Sequence, residues 1–494
     1  MCKNSKNIKT DFVIVGAGTI GLFLFDQLKK MNKKVVLIEK GSLTASIKKT
    51  NDILSKEKYH TGTFSKRAFG VGGNSTLWGG QLVEFFDKDL DKYSYDLGLE
   101  KNELKSLYKQ LYKIFKIRKV SSNQYLKKKK ISLKDKSKKI KYFFSNWLIE
   151  PNFAKYYERI IKNSSEDIFL NANIKNLKLD KKRVKSLEIL HKNQKILINA
   201  NKFIITMGTV ETIKFFLENK KLIKSNKYIG KYFQDHLGIH VGSVRIIDKK
   251  KFSTFFENGI MNDSKYQPKL FYKEFKKNYS LSASGEFKFF SRHDLEISKF
   301  KKYVKDFMRY KKINDLIEIS KLSLKLNIKI FTILYNFIFL KKIKSFHDEG
   351  VKFYIQSEQI PLKDSLIRFD KSKKIFIQSW KIDGRELKFI KNFAVKANQF
   401  LKKKNIAEIN LSKFINYDQS KFKDMLRDTN HPAGGLILSF KNKNSLINKN
   451  FSIRGKNNLF VIGNCLYKKS SFSNITFTTL ALALKFINRI KTNV

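Results

Sequence analysis

The chain has 494 residues, 42% hydrophobic and 14% aromatic, enough apolar content for large buried cores. A disordered tail and a small disulfide scaffold are thereby excluded. The 102 Lys and Arg against 43 Asp and Glu give a formal net charge of +59. The excess is mostly Lys, scattered through nearly every segment. Arg, the better reader of bases and phosphates, is sparse, so a solvated basic surface fits better than nucleic-acid binding.

At about 150 residues per domain, the length points to roughly three domain-sized units. Cys2 and Cys465 are the only cysteines and build no disulfide framework or Cys-rich metal site. No secretory signal is evident at the N-terminus, and the apolar run 330–340 is too short to span a bilayer. A cytoplasmic protein is the default expectation, with peripheral contact at an anionic membrane surface left open.

The N-terminal segment predicts a strand at 12–15, the turn Gly16-x-Gly18-x-x-Gly21, an apolar helix, and a second strand at 35–38 ending at Glu39. Strand, glycines, helix and acidic residue together define a dinucleotide site. Gly16 permits the turn, Gly18 lets backbone approach a pyrophosphate, and Gly21 lets helix pack on strand. Glu39 is placed to accept from a ribose diol. This pattern does not separate FAD from NAD.

A second glycine cluster runs from Gly70 to Gly80 and lacks the Gly-Lys-Ser/Thr ending of a P-loop. Backbone N–H groups of Gly72, Gly73 and Asn74 could form an anion nest or pass close to a flat ring, with Ser75, Thr76 and Trp78 beside them. Residues 86–165 read as helical and charged, with a basic loop at 127–130. From Asn171 the pattern turns strand-rich, ending in a strand at 203–206, Gly208 and a helix at 210–217. Residues 246–420 alternate strands and helices. Within them, 322–344 is apolar and basic; a buried helix or lid is the plainer expectation, insertion at a membrane interface the other.

His431 sits in Thr-Asn-His-Pro-Ala-Gly-Gly, where Pro432 restricts the backbone and two glycines open space beside the ring. A strand then ends at Gly463-Asn464, and Asn474 and Thr476 precede a final helix at 478–490. Either could cap that helix. His236 and His240 stand four apart, but Gly238 and the following run indicate loop and strand, not a metal-binding helix face. His-Glu-x-x-His, Cys-x-x-Cys and Gly-x-Ser-x-Gly motifs are all missing. No metal is expected.

In order along the chain, GAGTIG with Glu39, RAFGVGGNSTLWGG, ITMGTVETIKFFL, GKYFQDH, NHPAGG, NLFVIGN and SNITFTTLALAL resemble the glucose–methanol–choline (GMC) oxidoreductases. The resemblance is to pyranose-oxidase-like and cholesterol-oxidase-like branches, and is weak over the substrate domain. It implies an α/β fold: a discontinuous Rossmann-like FAD-binding domain (1–90, 165–245, 421–494) and a substrate or cap domain with an antiparallel sheet and helices (91–164, 246–420). It implies FAD contacts from Gly16, Gly18, Gly21, Glu39, Gly72, Gly73, Asn74, Ser75, Gly208, Gly463, Asn464 and Thr476. His431 then matches the catalytic base and Asn474 the second active-site position. The implied reaction oxidises a CH–OH group, of a sugar or polyol, with hydride passing to flavin N5.

Two departures from the family pattern matter. Ile475 replaces a proline after Asn474. Leu77 stands where some pyranose oxidases carry the His that bonds FAD, which implies non-covalent FAD. The alternatives are a sterol or lipid alcohol dehydrogenase at a membrane surface, and a non-catalytic flavin-fold scaffold. Substrate, electron acceptor and oligomeric state are not readable from the residues.

Overall fold

The computed structural model describes residues 6–47, 52–62, 66–86, 100–133, 139–223, 228–276, 279–310, 313–326, 328–343, 345–436 and 445–492. Two sheets organise it. The first is built on the strand Lys6–Val15, which pairs in parallel with Val35–Ile38 and with Gln194–Ile205. Val35–Ile38 pairs with Ile168–Phe169, and Gln194–Ile205 with Leu459–Val461, again in parallel. Both faces are covered, so the strands read as near-continuous apolar runs: Phe12 to Val15, Val35 to Ile38 and Phe203 to Ile205 are buried. Helices Thr19–Lys29 and Thr476–Thr492 pack together on this sheet. The first half of Gln194–Ile205 also carries an antiparallel meander, Asn173–Asp180 and Arg183–His191, in the segment after Asn171 that reads as strand-rich.

The second sheet is antiparallel and has ten strands. Its centre runs Ser264–Phe275, Ser280–Phe290, Gly350–Ser357, Leu237–Ile246. The helix Arg385–Lys403 covers it, burying Phe389, Ile390, Phe393 and Ala397. Ile140–Trp147 pairs with Ser264–Phe275. That strand lies in a stretch whose charge suggested helix; its YFF run is buried. The stretch does hold helices at Lys101–Ile114 and Ser122–Lys128, and residues 87–99 lie outside the described ones. The basic loop at 127–130 is the end of the second helix and its turn.

Between Ser280–Phe290 and Gly350–Ser357 the chain makes an excursion of three helices, Asp294–Tyr310, Ile313–Leu326 and Ile328–Ile338. Their own small core holds Ile297, Phe300, Leu326, Ile330 and Ile333, separate from the main one. The expected buried helix over 322–344 is therefore only half right: Ile330 and Ile333 are buried, whereas Phe331, Tyr335 and Phe337 are exposed. Among the described residues no helix is long and apolar enough to cross a membrane.

Candidate active site

The carboxyl ends of the parallel strands define where a ligand can lie. There, Gly16 N–H donates to the Ile38 carbonyl (2.7 Å), and the Thr206 hydroxyl donates to the carbonyls of Val15 (3.0 Å) and Gly16 (2.9 Å). Gly18 and Gly21 play opposite parts. A Cβ at Gly21 would run into the Gly16 carbonyl oxygen, so helix and turn touch through it. A Cβ at Gly18 would meet nothing within 4 Å. The helix Thr19–Lys29 begins there with no side-chain cap, so its first N–H groups face that open space.

Glu39 is buried, and backbone N–H groups bind its carboxylate. Ala17 donates to one oxygen (2.8 Å), Gly41 (2.8 Å) and Gly70 (3.1 Å) to the other. Burial pushes its pKa up, and those three donors hold it back. The second glycine cluster lies directly on the first turn. Gly72 N–H donates to the Ala17 carbonyl (2.8 Å), and a Cβ on Gly73 would sit 3.1 Å from Gly18 Cα. Ser75 is buried; its hydroxyl donates to the Gly72 carbonyl (2.6 Å) and accepts from Phe153 N–H (3.0 Å). Asn74 is exposed, and its side-chain oxygen accepts from Ala68 N–H (2.8 Å). Both side chains shape the loop. Gly208 opens the helix Gly208–Glu218, with nothing within 4 Å of an added Cβ.

The His431 loop is fastened to these elements. Thr209 Oγ1 donates to the Pro432 carbonyl (2.7 Å), Gly434 N–H to the Asn464 carbonyl (3.2 Å), and Thr479 Oγ1 to Asn464 Oδ1 (2.6 Å). Gly463 and Asn464 follow the strand that pairs with Phe203–Ile205, and Thr476 opens the last helix. The sequence-derived cofactor positions thus gather at one end of the parallel sheet, with His431 beside them.

The partner of His431 is His236, Nδ1 to Nδ1 at 3.1 Å. The tautomers follow from the other contacts. His236 Nε2 lies 2.7 Å from the Ser471 carbonyl, which only accepts, so that nitrogen carries the proton. His236 Nδ1 is then the acceptor, also reached by the Gln356 amide (3.3 Å). A proton on His431 Nδ1 turns the 3.1 Å contact into a hydrogen bond between the two rings, with Thr429 Oγ1 as a second neighbour at 2.8 Å. In that tautomer His431 Nε2 carries the lone pair, with no hydrogen-bond partner among the described residues, which is what a general base requires.

Asp235, wholly buried, holds this pair from below. Its Oδ1 accepts from the backbone N–H groups of His236 (2.7 Å) and His431 (2.9 Å). Three non-glycine residues around the pair have left-handed backbone: Tyr232 (φ 60°), Asn430 (φ 61°) and Ser471 (φ 57°). Such conformations persist only where surrounding contacts over-determine them. His431 is pushed well below the usual histidine range by burial first, then by His236 and by the Lys269 ammonium. Burial also lowers His236, against the Asp235 charge. Lys269 is itself buried, paired with Glu286 (2.6 Å). Glu286 is raised by burial, but Lys269 and Lys288 outweigh that and hold it at about 2.

Asn474 reaches the same neighbourhood by a different route. Its amide contacts the Gln81 carbonyl at 3.5 Å, and the Gln81 side chain meets Lys269 (3.2 Å). Phe472, two residues earlier, closes an aromatic cluster with Phe86, Phe143 and Phe271, ring centroids 4.7 to 5.8 Å apart. The buried hydroxyls of Ser471 and Ser473 have no hydrogen-bond partner among the described residues.

Sequence reasoning assigned no role to His236, Asp235, Thr429 or Gln356. The signal for the first two was present, since GKYFQDH was singled out and His236 weighed only as a metal ligand. His240 is elsewhere, its ring against Tyr354 (5.0 Å). His60, Asp235 and Asp428 do present ligand atoms within 4.8 Å of one another. Their carboxylates already serve protein donors, Asp428 those of Thr61 and Gly62 and Asp235 those of the two histidines.

The residues fit a dinucleotide such as FAD: an uncapped helix N-terminus over open space, a second open glycine at Gly208, and unpartnered buried hydroxyls near the histidines. Solved structures share the fold. A pyridoxine 4-oxidase from Mesorbium loti is 13% identical, with 97% of this chain and 99% of that one covered and a TM-score of 0.55. A formate oxidase is 13% identical, covering 99% of both chains with a TM-score of 0.57. A formate oxidase variant of Aspergillus oryzae RIB40, concerned with FAD modification, aligns equally well, at 13% identity, 99% coverage of both chains and a TM-score of 0.57. In sequence, residues 364–483 match the family model described as GMC oxidoreductase. No curated protein matches the sequence. The family match lies in the C-terminal part of the chain, and the shared fold extends over nearly all of it.

Proposed function

We propose that the chain is an FAD-dependent oxidoreductase of the GMC type that oxidises the CH–OH group of an alcohol, with a sugar or polyol as substrate. The observation that carries the reading is the His236–His431 pair, whose hydrogen bonds leave His431 Nε2 unprotonated in a loop tied through Pro432 to Thr209, at the start of the Gly208–Glu218 helix. His431 would take the hydroxyl proton at Nε2. His236, Thr429 and Asp235 would hold the ring and its tautomer. Asn474 would donate to the substrate oxygen and keep it within reach. Bound FAD would accept the carbon-bound hydrogen with its electron pair. The turn at Gly16–Gly21, Glu39, the Gly72–Ser75 loop, Gly208, Gly463, Asn464 and Thr476 would hold it. Leu77 offers no nucleophile, so attachment would be non-covalent.

The sugar reading is supported by the hydrogen-bonding groups of Gln356, Asn474, Ser471 and Ser473, and by the likeness of the second glycine loop to pyranose-oxidase-like proteins. The aromatic cluster around Phe472 favours a second reading, a sterol or other lipid alcohol. The sheet memberships support the discontinuous domain division for 6–38, 168–205 and 459–461. Strand Leu237–Ile246 pairs in the antiparallel sheet.

The test is the visible spectrum of purified protein before and after acid precipitation. Flavin bands that leave with the supernatant support a non-covalent flavoprotein; anaerobic bleaching by a panel of sugars, polyols and sterols then ranks the substrates. Absence of flavin after reconstitution would overturn the proposal.

A further inference from the structure

The three-helix excursion at 294–338 presents an apolar face that its own core does not explain. Of the 22 large hydrophobic side chains exposed among the described residues, twelve fall between Leu295 and Leu340. Helix Ile328–Ile338 is the extreme case. One stripe, Ile330 and Ile333, is buried in the small core. The solvent side, where a surface helix normally carries polar groups, holds Phe331 (74% exposed), Tyr335 (55%) and Ile338 (51%). The apolar surface continues past the helix end through Phe339 (71%) and Leu340 (48%). A contiguous patch of this kind marks an interaction site.

Charge identifies the occupant. Residues 319–347 contain six lysines and no acidic residue. Lys341 follows the apolar tip directly and is exposed. Lys321, Lys325 and Lys329 pair with Glu318 (3.1 Å), Glu296 (2.9 Å) and Asp348 (3.6 Å), acids that all stand outside residues 319–347. An apolar, aromatic tip rimmed by lysine is the composition that enters the headgroup region of an anionic bilayer. We propose that this face docks the protein onto an anionic lipid surface, with Phe331 to Leu340 entering the interface and the flanking lysines meeting lipid phosphates. The proposal does not depend on the chemistry assigned to the histidine pair.

The test is co-sedimentation of the full chain with phosphatidylglycerol–phosphatidylcholine vesicles and with pure phosphatidylcholine vesicles. The variants are Phe331→Ser/Phe339→Ser and Lys341→Glu, all at exposed positions, with circular dichroism as the folding check. Binding to the anionic vesicles that weakens with salt, and falls by about tenfold or more in the double variant, supports the proposal. Equal binding by parent and double variant overturns it, because the general basic surface would then suffice. No vesicle binding, or a dimer in gel filtration that the double variant abolishes while vesicles go unbound, overturns it as well.

Discussion

The dinucleotide turn and the histidine pair are neighbours in space built in opposite ways. The turn comes from one contiguous stretch; Gly16 and Gly21 face backbone of the turn itself or of one adjacent strand end, and Gly18 faces open space. The pair joins positions 195 residues apart, and its tautomers depend on Thr429 in the His431 loop itself and on Ser471 and Gln356 from two further segments. Local geometry can be written into a motif; a proton arrangement has to be assembled by the fold.

Breaking the pair gives the largest effect. His431→Ala should lower the rate of flavin reduction by substrate by about 10²–10⁴-fold, the usual contribution of a general base, while leaving bound flavin in place. Stopped-flow absorbance checks it, and an unchanged rate would remove His431 from the chemistry.

The turn should break differently at its two inner glycines. Gly21→Ala forces a methyl against the Gly16 carbonyl and should cost about 1–3 kcal/mol in thermal or denaturant unfolding, the range for overpacking. Gly18→Ala fills open space and should change stability by under about 0.5 kcal/mol. It should nevertheless lose flavin on gel filtration, because the methyl occupies the approach to the phosphates. If both variants behave alike, the distinction between a packing glycine and a ligand glycine is lost.

His236→Gln sharpens the other side. It removes a ring that helps lower the His431 pKa and that accepts its Nδ1 proton. On the proposed mechanism, in which His431 acts as the neutral base, a lowered pKa keeps it active as pH falls through the ordinary histidine range. The parent should therefore hold kcat/KM flat down through about pH 6.5. In the variant the acid limb should move to higher pH, and kcat should fall more than KM rises. An acid limb at the same pH would assign His236 to packing alone.

Much of the parallel sheet was legible because burial on both faces writes apolar runs, as in Val35 to Ile38, and because Gly16–Gly21 carries its context with it. His431 and Asn474 were legible only through resemblance. His236 stood in the GKYFQDH stretch, but nothing in that stretch says which ring it will meet. Ile140–Trp147 was obscured by the lysines around it, and only its pairing with Ser264–Phe275 makes it a strand. The apolar run after Leu322 announced hydrophobicity correctly, but not on which side water lies, because the only polar residues of helix Ile328–Ile338, Lys329, Thr332 and Asn336, form one narrow, half-buried stripe.

The Glu39 carboxylate receives its three backbone donors from the protein itself, tying turn, second strand and glycine cluster together. A nucleotide would therefore meet a mould already cast. Loading should follow simple bimolecular kinetics without a refolding lag. Its heat-capacity change should reflect the apolar area the ligand covers rather than the ordering of chain.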